Sequence, residues 1–258
     1  MARRININAD MAEGFGPYDI GSDAELLRIV RTANIACGMH GGDASVMRRT
    51  IEAAAAHGVS IGAHPGFNDL WGFGRRRIAM RMDDLESLIA YQIGAMLGMA
   101  AYGPQPVTHV KAHGALNNIA CTDRAHADAI MHAQARVAPQ LIALVMPGTE
   151  MARAAEAAGL RIGREAFVDR TYEDDGTLTP RTVENSVIRD PRAAAARAVA
   201  MVREGVIVSR NGTRLDIGFE SLCVHGDEPT SVAVAAAARE ALEADGVEIV
   251  TLPEMLDD

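Results

Sequence analysis

Titratable side chains recur where short apolar runs of this chain give out. Asp10 and Glu13 follow residues 4–8, and His40 and Asp43 follow residues 34–37. His64 follows 59–63, Lys111 and His113 end a run that begins at Val107, Asp169 follows 160–168, and His225 and Asp227 follow 221–224. Four imidazoles, five carboxylates and one amine gathered together suit proton transfer and the stabilisation of negative charge developing on an oxygen. The fullest stretch is Thr108-His109-Val110-Lys111-Ala112-His113-Gly114. Side chains alternate faces in a strand, so His109, Lys111 and His113 share one. Such a polar face in an apolar strand is costly unless it lines a site. Lys111 is the only lysine among 25 basic residues, which marks the position as one that uses an amine.

Elements of one kind must deliver these groups. Strand-like runs at 4–8, 34–37, 59–63, 107–113, 141–146, within 160–168 and at 221–224 alternate with helical spacing at 23–30, 45–57, 83–101, 122–135, 150–158, 190–204 and 229–245. Residues 247–250 form a closing element, and Asn211-Gly212 joins a small hairpin. A second turn at Asp175-Gly176 lies in the polar stretch 171–185. About seven β/α alternations without a break in composition predict one α/β domain over residues 1–258, an irregular (β/α) barrel with parallel strands. A barrel brings all its strand ends into one bowl, whereas an open sheet concentrates its site at a switch point. Residues 67–77, which hold Trp71 and Arg75-Arg76-Arg77, read as a binding loop.

Composition narrows the partners. A net charge of −9 argues against nucleic acid. The polar start and the Glu86 and Gln92 within the most apolar helix argue against a secretory leader and a membrane span. Three cysteines without metal-site spacing read as buried thiols, and the expected location is the cytoplasm. No Gly-Lys-Ser/Thr loop exists, because Ala112 follows the lysine; if ATP is used, its phosphate falls to Arg75, Arg76, Arg170 or Arg181, or to another subunit. His109 and His113 lie about 13 Å apart along a strand, too far to share one ion. A metal site across strands from Asp10, His64, His113 and Asp227 stays open, as does a Schiff-base role for Lys111.

Taken together, the motifs resemble the LamB/YcsF family, viewed as the A component of the ATP-dependent 5-oxoprolinase. The resemblance lies in Asn8-x-Asp10 with Glu13, Asn34-Ile-Ala-Cys-Gly-Met-His40-Gly-Gly-Asp43, Gly62-Ala-His64-Pro-Gly and Gly72-Phe-Gly-Arg-Arg76. It continues through His109-Val-Lys111-Ala-His113-Gly, Asp169-Arg170-x-Tyr172, Pro180-Arg181 and Cys223-Val-His225-Gly-Asp227. It implies a barrel akin to glycoside hydrolases and deacetylases. It further implies a cytoplasmic enzyme that opens 5-oxoproline to glutamate, with ATP as co-substrate and 5-oxoprolinase subunits B and C as partners. On that reading Asp10, Lys111, His113, Asp169, His225 and Asp227 are the catalytic set. Lys111 and His113 stabilise the oxygen or phosphate, Asp10 or Asp169 activates water, and His225 with Asp227 serves the ring nitrogen. Asn8, Glu13, Asn34, His40, His64, Arg75, Arg76, Arg170 and Arg181 bind substrate. The chain departs from the family pattern at Asn6 (usually Asp), Ala12 (Gly), Ala112 (Pro) and Asn117 (Tyr), which leaves room for another lactam. The competing readings are a metal-dependent amidohydrolase or deacetylase working alone, and a non-catalytic lactam-binding protein of the same complex.

Overall fold

The computed structural model describes residues 3–225 and 229–257. Parallel strands β1 (Arg3–Met11), β2 (Thr32–Ala36), β3 (Ser60–His64), β4 (Val107–Val110), β5 (Ile142–Val145) and β6 (Ile162–Phe167) pair in chain order. A short antiparallel pair, β7 (Ile207–Val208) with β8 (Arg214–Leu215), interrupts the series. Strand β9 (Ser221–Val224) then pairs with both β6 and β1, which closes the ring. β10 (Val247–Val250) adds to the first half of β1. Asn6 is thus in register with Ser221 on one side and Val250 on the other, and Asn8 with Cys223 and Thr32. The ring is the irregular barrel that the alternation of elements predicts.

Helices α1 (Asp23–Leu26), α2 (Ala44–Ala56), α3 (Met82–Met99), α4 (Gly114–Ala120), α5 (Arg124–Val137), α6 (Glu150–Ala157), α7 (Pro191–Glu204), α8 (Ser231–Ala244) and α9 (Leu252–Leu256) complete the described residues. Each long helix buries one stripe, as Val46, Met47, Thr50, Ile51 and Ala54 do on α2. Short polar side chains start them. Asp43, Asp123, Thr149 and Asp190 accept backbone N–H groups at the caps of α2, α5, α6 and α7. Asp43 also accepts Gly16 N–H, so this carboxylate caps a helix and is not one of the groups that line the bowl. Gln92, buried on α3, donates to Gly66 C=O and accepts Gly66 N–H, both at 2.9 Å. That double bond pins the turn that follows His64. Among the described residues no helix is long and apolar enough to cross a membrane.

The barrel interior is polar in its middle layer. Asn34 Nδ2 donates to Asp10 Oδ1 and Asn8 Oδ1, both at 2.8 Å. Asn8 Nδ2 donates to Ser221, Ser221 to Asn6 Oδ1, and Asn6 Nδ2 to Val250 C=O at 2.8 Å. The carboxylate at the top and the carbonyl at the bottom only accept, which fixes the sense of every amide between them. A polar chain satisfied at each link rigidifies a core.

Candidate active site

Strand β4 stops at Val110, but the chain keeps to the edge of β3. Lys111 N–H donates to Ala63 C=O and His113 N–H to Pro65 C=O, both at 2.9 Å. The inward face therefore continues past the strand, and His109, Lys111 and His113 all enter the barrel. His109 is deepest. Its Nε2 is 2.8 Å from Asn34 Oδ1, and burial, with Lys111 adding to it, lowers its pKa to about 3. It can lie there because residue 62 is glycine; a Cβ would sit 2.2 Å from the His109 ring.

Lys111 is engaged within the barrel wall. Its Nζ lies 2.8 Å from Asp10 Oδ1, 3.0 Å from Glu165 Oε1 and 3.1 Å from Cys223 Sγ. Burial alone would lower its pKa, but Asp10, Cys223 and Glu165 raise it well above the ordinary value. Asp10 moves the opposite way, since His64 and Lys111 outweigh burial and hold it well below the usual carboxylate range. Burial pushes Glu165 up despite Lys111. A cationic lysine paired in this way is unsuited to a Schiff base, which needs the free amine. It anchors Asp10 electrostatically.

Beside this pair lies a nest of imidazoles. His64 Nδ1 donates to Lys111 C=O at 2.7 Å and His113 Nε2 to Phe73 C=O at 2.8 Å. Their inner nitrogens, His64 Nε2 and His113 Nδ1, are 3.1 Å apart. Asp10 Oδ2 lies 3.3 Å from the first, and Glu13 Oε1 lies 3.3 Å from the second. His40 stacks on His113 with ring centroids 3.6 Å apart and reaches Glu13 Oε1 at 3.1 Å. Burial, with the other histidines, lowers the pKa of both His40 and His113. Gly74, at φ +62°, packs where a Cβ would lie 2.6 Å from His40 and 2.7 Å from His113.

A second dyad faces the same cavity. Asp169 Oδ2 accepts His225 N–H at 3.0 Å and lies 2.9 Å from His225 Nδ1. Burial would raise Asp169, yet His225 and Arg170 leave its pKa lowered. The cavity, about 440 Å³, is lined by Asp10, Lys111, His113 and His225 at its floor. Arg75, Arg77, Arg170 and Arg181 surround it, with Phe167, Asn117 and Pro180 between.

The structure thus brings Asp10, Glu13, His40, His64, Lys111 and His113 into one cluster and sets Asp169 and His225 just beyond the neighbouring strands β6 and β9. Asn8 and Asn34 lie in the polar layer beneath, where they hold Asp10 and Lys111. Arg170 reaches the cavity but donates to Ser186 and Thr179 carbonyls, and so fixes the loop that carries Arg181. Arg76 turns back to Asp69, which caps the Leu70–Gly72 turn, and does not line the cavity; Arg77 does. Asp227 lies outside the described residues. Glu165 and Cys223 escape the reading of strand ends because they point inward below them. Their signal is the period of two that places Glu165 on the face of Phe167 and Asp169.

Over residues 5–257 the sequence matches the model of the LamB/YcsF family. The chain belongs to the LamB/YcsF family. Among its LamB/YcsF relatives, a protein from Rhodopseudomonas palustris named as the A component of 5-oxoprolinase is 46% identical over 246 residues, 95% of this chain and 96% of the relative. One of the same name from Heliobacterium modesticaldum is 47% identical, with 95% and 97% covered. The crystal structure of a lactam utilization protein from Thermus thermophilus superposes with a TM-score of 0.91 at 42% identity, covering 96% of this chain and 99% of that one. At 10% identity, the catalytic domain of a peptidoglycan N-acetylglucosamine deacetylase from Eubacterium rectale superposes with a TM-score of 0.52, covering 98% of this chain and 89% of that one, and shares the fold alone.

Proposed function

We propose that this LamB/YcsF chain is the A component of an ATP-dependent 5-oxoprolinase, which opens the lactam to glutamate together with subunits B and C. The observation that carries the reading is the end-to-end match to proteins of that name at close to half identity. The site's chemistry supports it. A five-membered lactam is a poor electrophile, and transfer of a phosphoryl group from ATP to its amide oxygen makes the ring carbon open to water. An anionic intermediate of that kind suits a cavity ringed by Arg75, Arg77 and Arg181. With no phosphate loop on this chain, the ATP cradle falls to the partner proteins.

The dyad is the better general base. Asp169 holds the Nδ1 proton of His225, which leaves Nε2 with a lone pair for a proton from water. Asp10 accepts from Asn34 and Lys111, and its lowered pKa makes it a weak base, so its role is to fix the charge of the floor. Proton return from His225 to the ring nitrogen completes cleavage of the C–N bond, and a second water then hydrolyses the resulting acyl phosphate to glutamate and inorganic phosphate. Purified chain, 5-oxoproline, ATP and subunits B and C should together release glutamate, with nothing released when this chain is left out. Release by this chain alone without ATP would favour the amidohydrolase reading.

A further inference from the structure

The imidazole nest poses a question of proton count that neither Lys111 nor the dyad answers. Backbone carbonyls only accept, so the outward nitrogens, His64 Nδ1 on Lys111 C=O and His113 Nε2 on Phe73 C=O, carry the ring protons. In the neutral rings the inward nitrogens are bare lone pairs. These two lone pairs face each other at 3.1 Å, with the Glu13 carboxylate 3.3 Å from one and Asp10 3.3 Å from the other. Two facing lone pairs flanked by two carboxylates are an arrangement that suits a cation.

We propose that Glu13, His64 and His113 bind one divalent transition-metal ion, of the kind that Zn²⁺ represents. Among the described residues, ligand atoms of Glu13, His40, His64 and His113 all lie within 4.8 Å of one another. A tetrahedral ion with bonds of 2.0–2.1 Å sets neighbouring ligand atoms about 3.3 Å apart. Two of the three spacings, 3.1 Å and 3.3 Å, match that figure, and the third, between His64 and Glu13, lies within 4.8 Å. Imidazole nitrogen with a carboxylate selects a first-row ion over magnesium or calcium.

The fourth residue is sorted by its outer nitrogen. A ligating histidine gives its remaining N–H to a carbonyl, a carboxylate or water, as His64 and His113 do. His40 Nδ1 is buried and has no such partner. Its Nε2 therefore carries the proton and donates to Glu13 Oε1, which makes His40 a positioning residue for the carboxylate. Three protein ligands leave a coordination position open, and His113 lines the cavity. The inference does not depend on which lactam is the substrate, or on whether there is one.

Metal analysis of the purified full chain after dialysis should find one ion per chain. After chelator treatment, calorimetric titration with Zn²⁺, Mn²⁺ and Ni²⁺ should give 1:1 binding to at least one of them. H64A, H113A and E13Q should each weaken that binding at least 100-fold, whereas H40A should retain 1:1 binding with a 10- to 100-fold loss. Circular dichroism shows which variants fold. Because the wild-type chain is also loaded with Co²⁺, the test survives a variant that does not fold: visible absorption bands of four- or five-coordinate cobalt support the site. Absence of binding to all three ions together with a spectrum of six-coordinate aqueous cobalt would overturn it, leaving a proton shared between His64 and His113. Unchanged binding in folded H64A and H113A would overturn it equally.

Discussion

Replacing Lys111 with methionine is the sharpest perturbation of the site. At the sequence level, that change removes an active group and leaves the fold intact; the buried contacts predict otherwise. At 2.8 Å from Asp10 the ammonium gains about 6 kcal/mol of gross attraction at an effective dielectric of about 20. Desolvating each ion costs several kcal/mol, so the intact pair contributes little net stability. Removing one partner is different, because it strands a carboxylate in the barrel and costs about 3–5 kcal/mol. For a chain of this size that is a melting point about 10 °C lower, and roughly 40% of a typical folding free energy. The pH dependence follows from the signs. Asp10 is depressed in the folded protein, so its contribution is present above about pH 4, its unfolded value, and is lost as pH falls through the folded value. Lys111 is raised, so its share persists up to about pH 10 and is lost above it. In Lys111→Met burial is opposed by His64 without Lys111, so the folded pKa of Asp10 rises and the deficit against wild type shrinks as pH falls through the new value. Adding Asp10→Asn should restore part of the loss, since it removes the stranded charge while its amide oxygen can still accept from Asn34 Nδ2 at the place of Oδ1. Denaturant unfolding of the two single variants and the double variant at pH 5 and 7 measures all of this. A Lys111→Met variant within 1 kcal/mol of wild type, or a double variant no more stable than it, would refute the buried-charge reasoning.

Three further outcomes are expected. Tyr172→Phe removes the buried hydroxyl that accepts Phe167 N–H at 2.8 Å; the orphaned amide should cost about 1–3 kcal/mol, read as a melting point lowered by about 2–10 °C. Asn6→Asp puts an acceptor against Val250 C=O, so the variant should be less stable than wild type by about 2 kcal/mol at pH 7 and recover towards pH 4 as its carboxyl protonates, in urea titrations across that range. His225→Ala in the reconstituted enzyme should lower kcat by about 100- to 10,000-fold while leaving the melting point within a few degrees; unchanged turnover would remove the dyad from the chemistry.

The architecture was legible because six strands of the ring end in a change of chemistry as well as of hydropathy. The boundaries of β9 and β10 coincide with the readings at 221–224 and 247–250. The main shortfalls have one cause, the meeting of residues distant in sequence. That Lys111 contacts Asp10, 101 positions away, and Cys223, 112 positions away, is a property of ring closure and invisible to local periodicity. For the same reason β4 is shorter than its apolar run, since the chain beyond Val110 continues along β3 without ladder pairing to β5. Asp43 misleads because a helix cap and a catalytic acid use the same side chain, and only its hydrogen bonds tell them apart. Likewise, the Asn6 that departs from the family pattern has an acceptor waiting below it, so the amide suits this barrel's interior.

Strand β1 is the hub of the ring, paired with β2, β9 and β10. On a ribosome it is made before every other strand of the ring, and β9 and β10 come after all the rest. One of its edges therefore stays open while nearly the whole barrel is synthesised, a non-local closure of the kind that folds slowly and exposes strand edges to other nascent chains. Until Ser221 and Cys223 arrive, the inner face of that strand carries Asn6, Asn8 and Asp10 and so presents polar groups, which lowers its tendency to associate with other chains. The same alternation that builds the polar layer guards the chain during its own assembly.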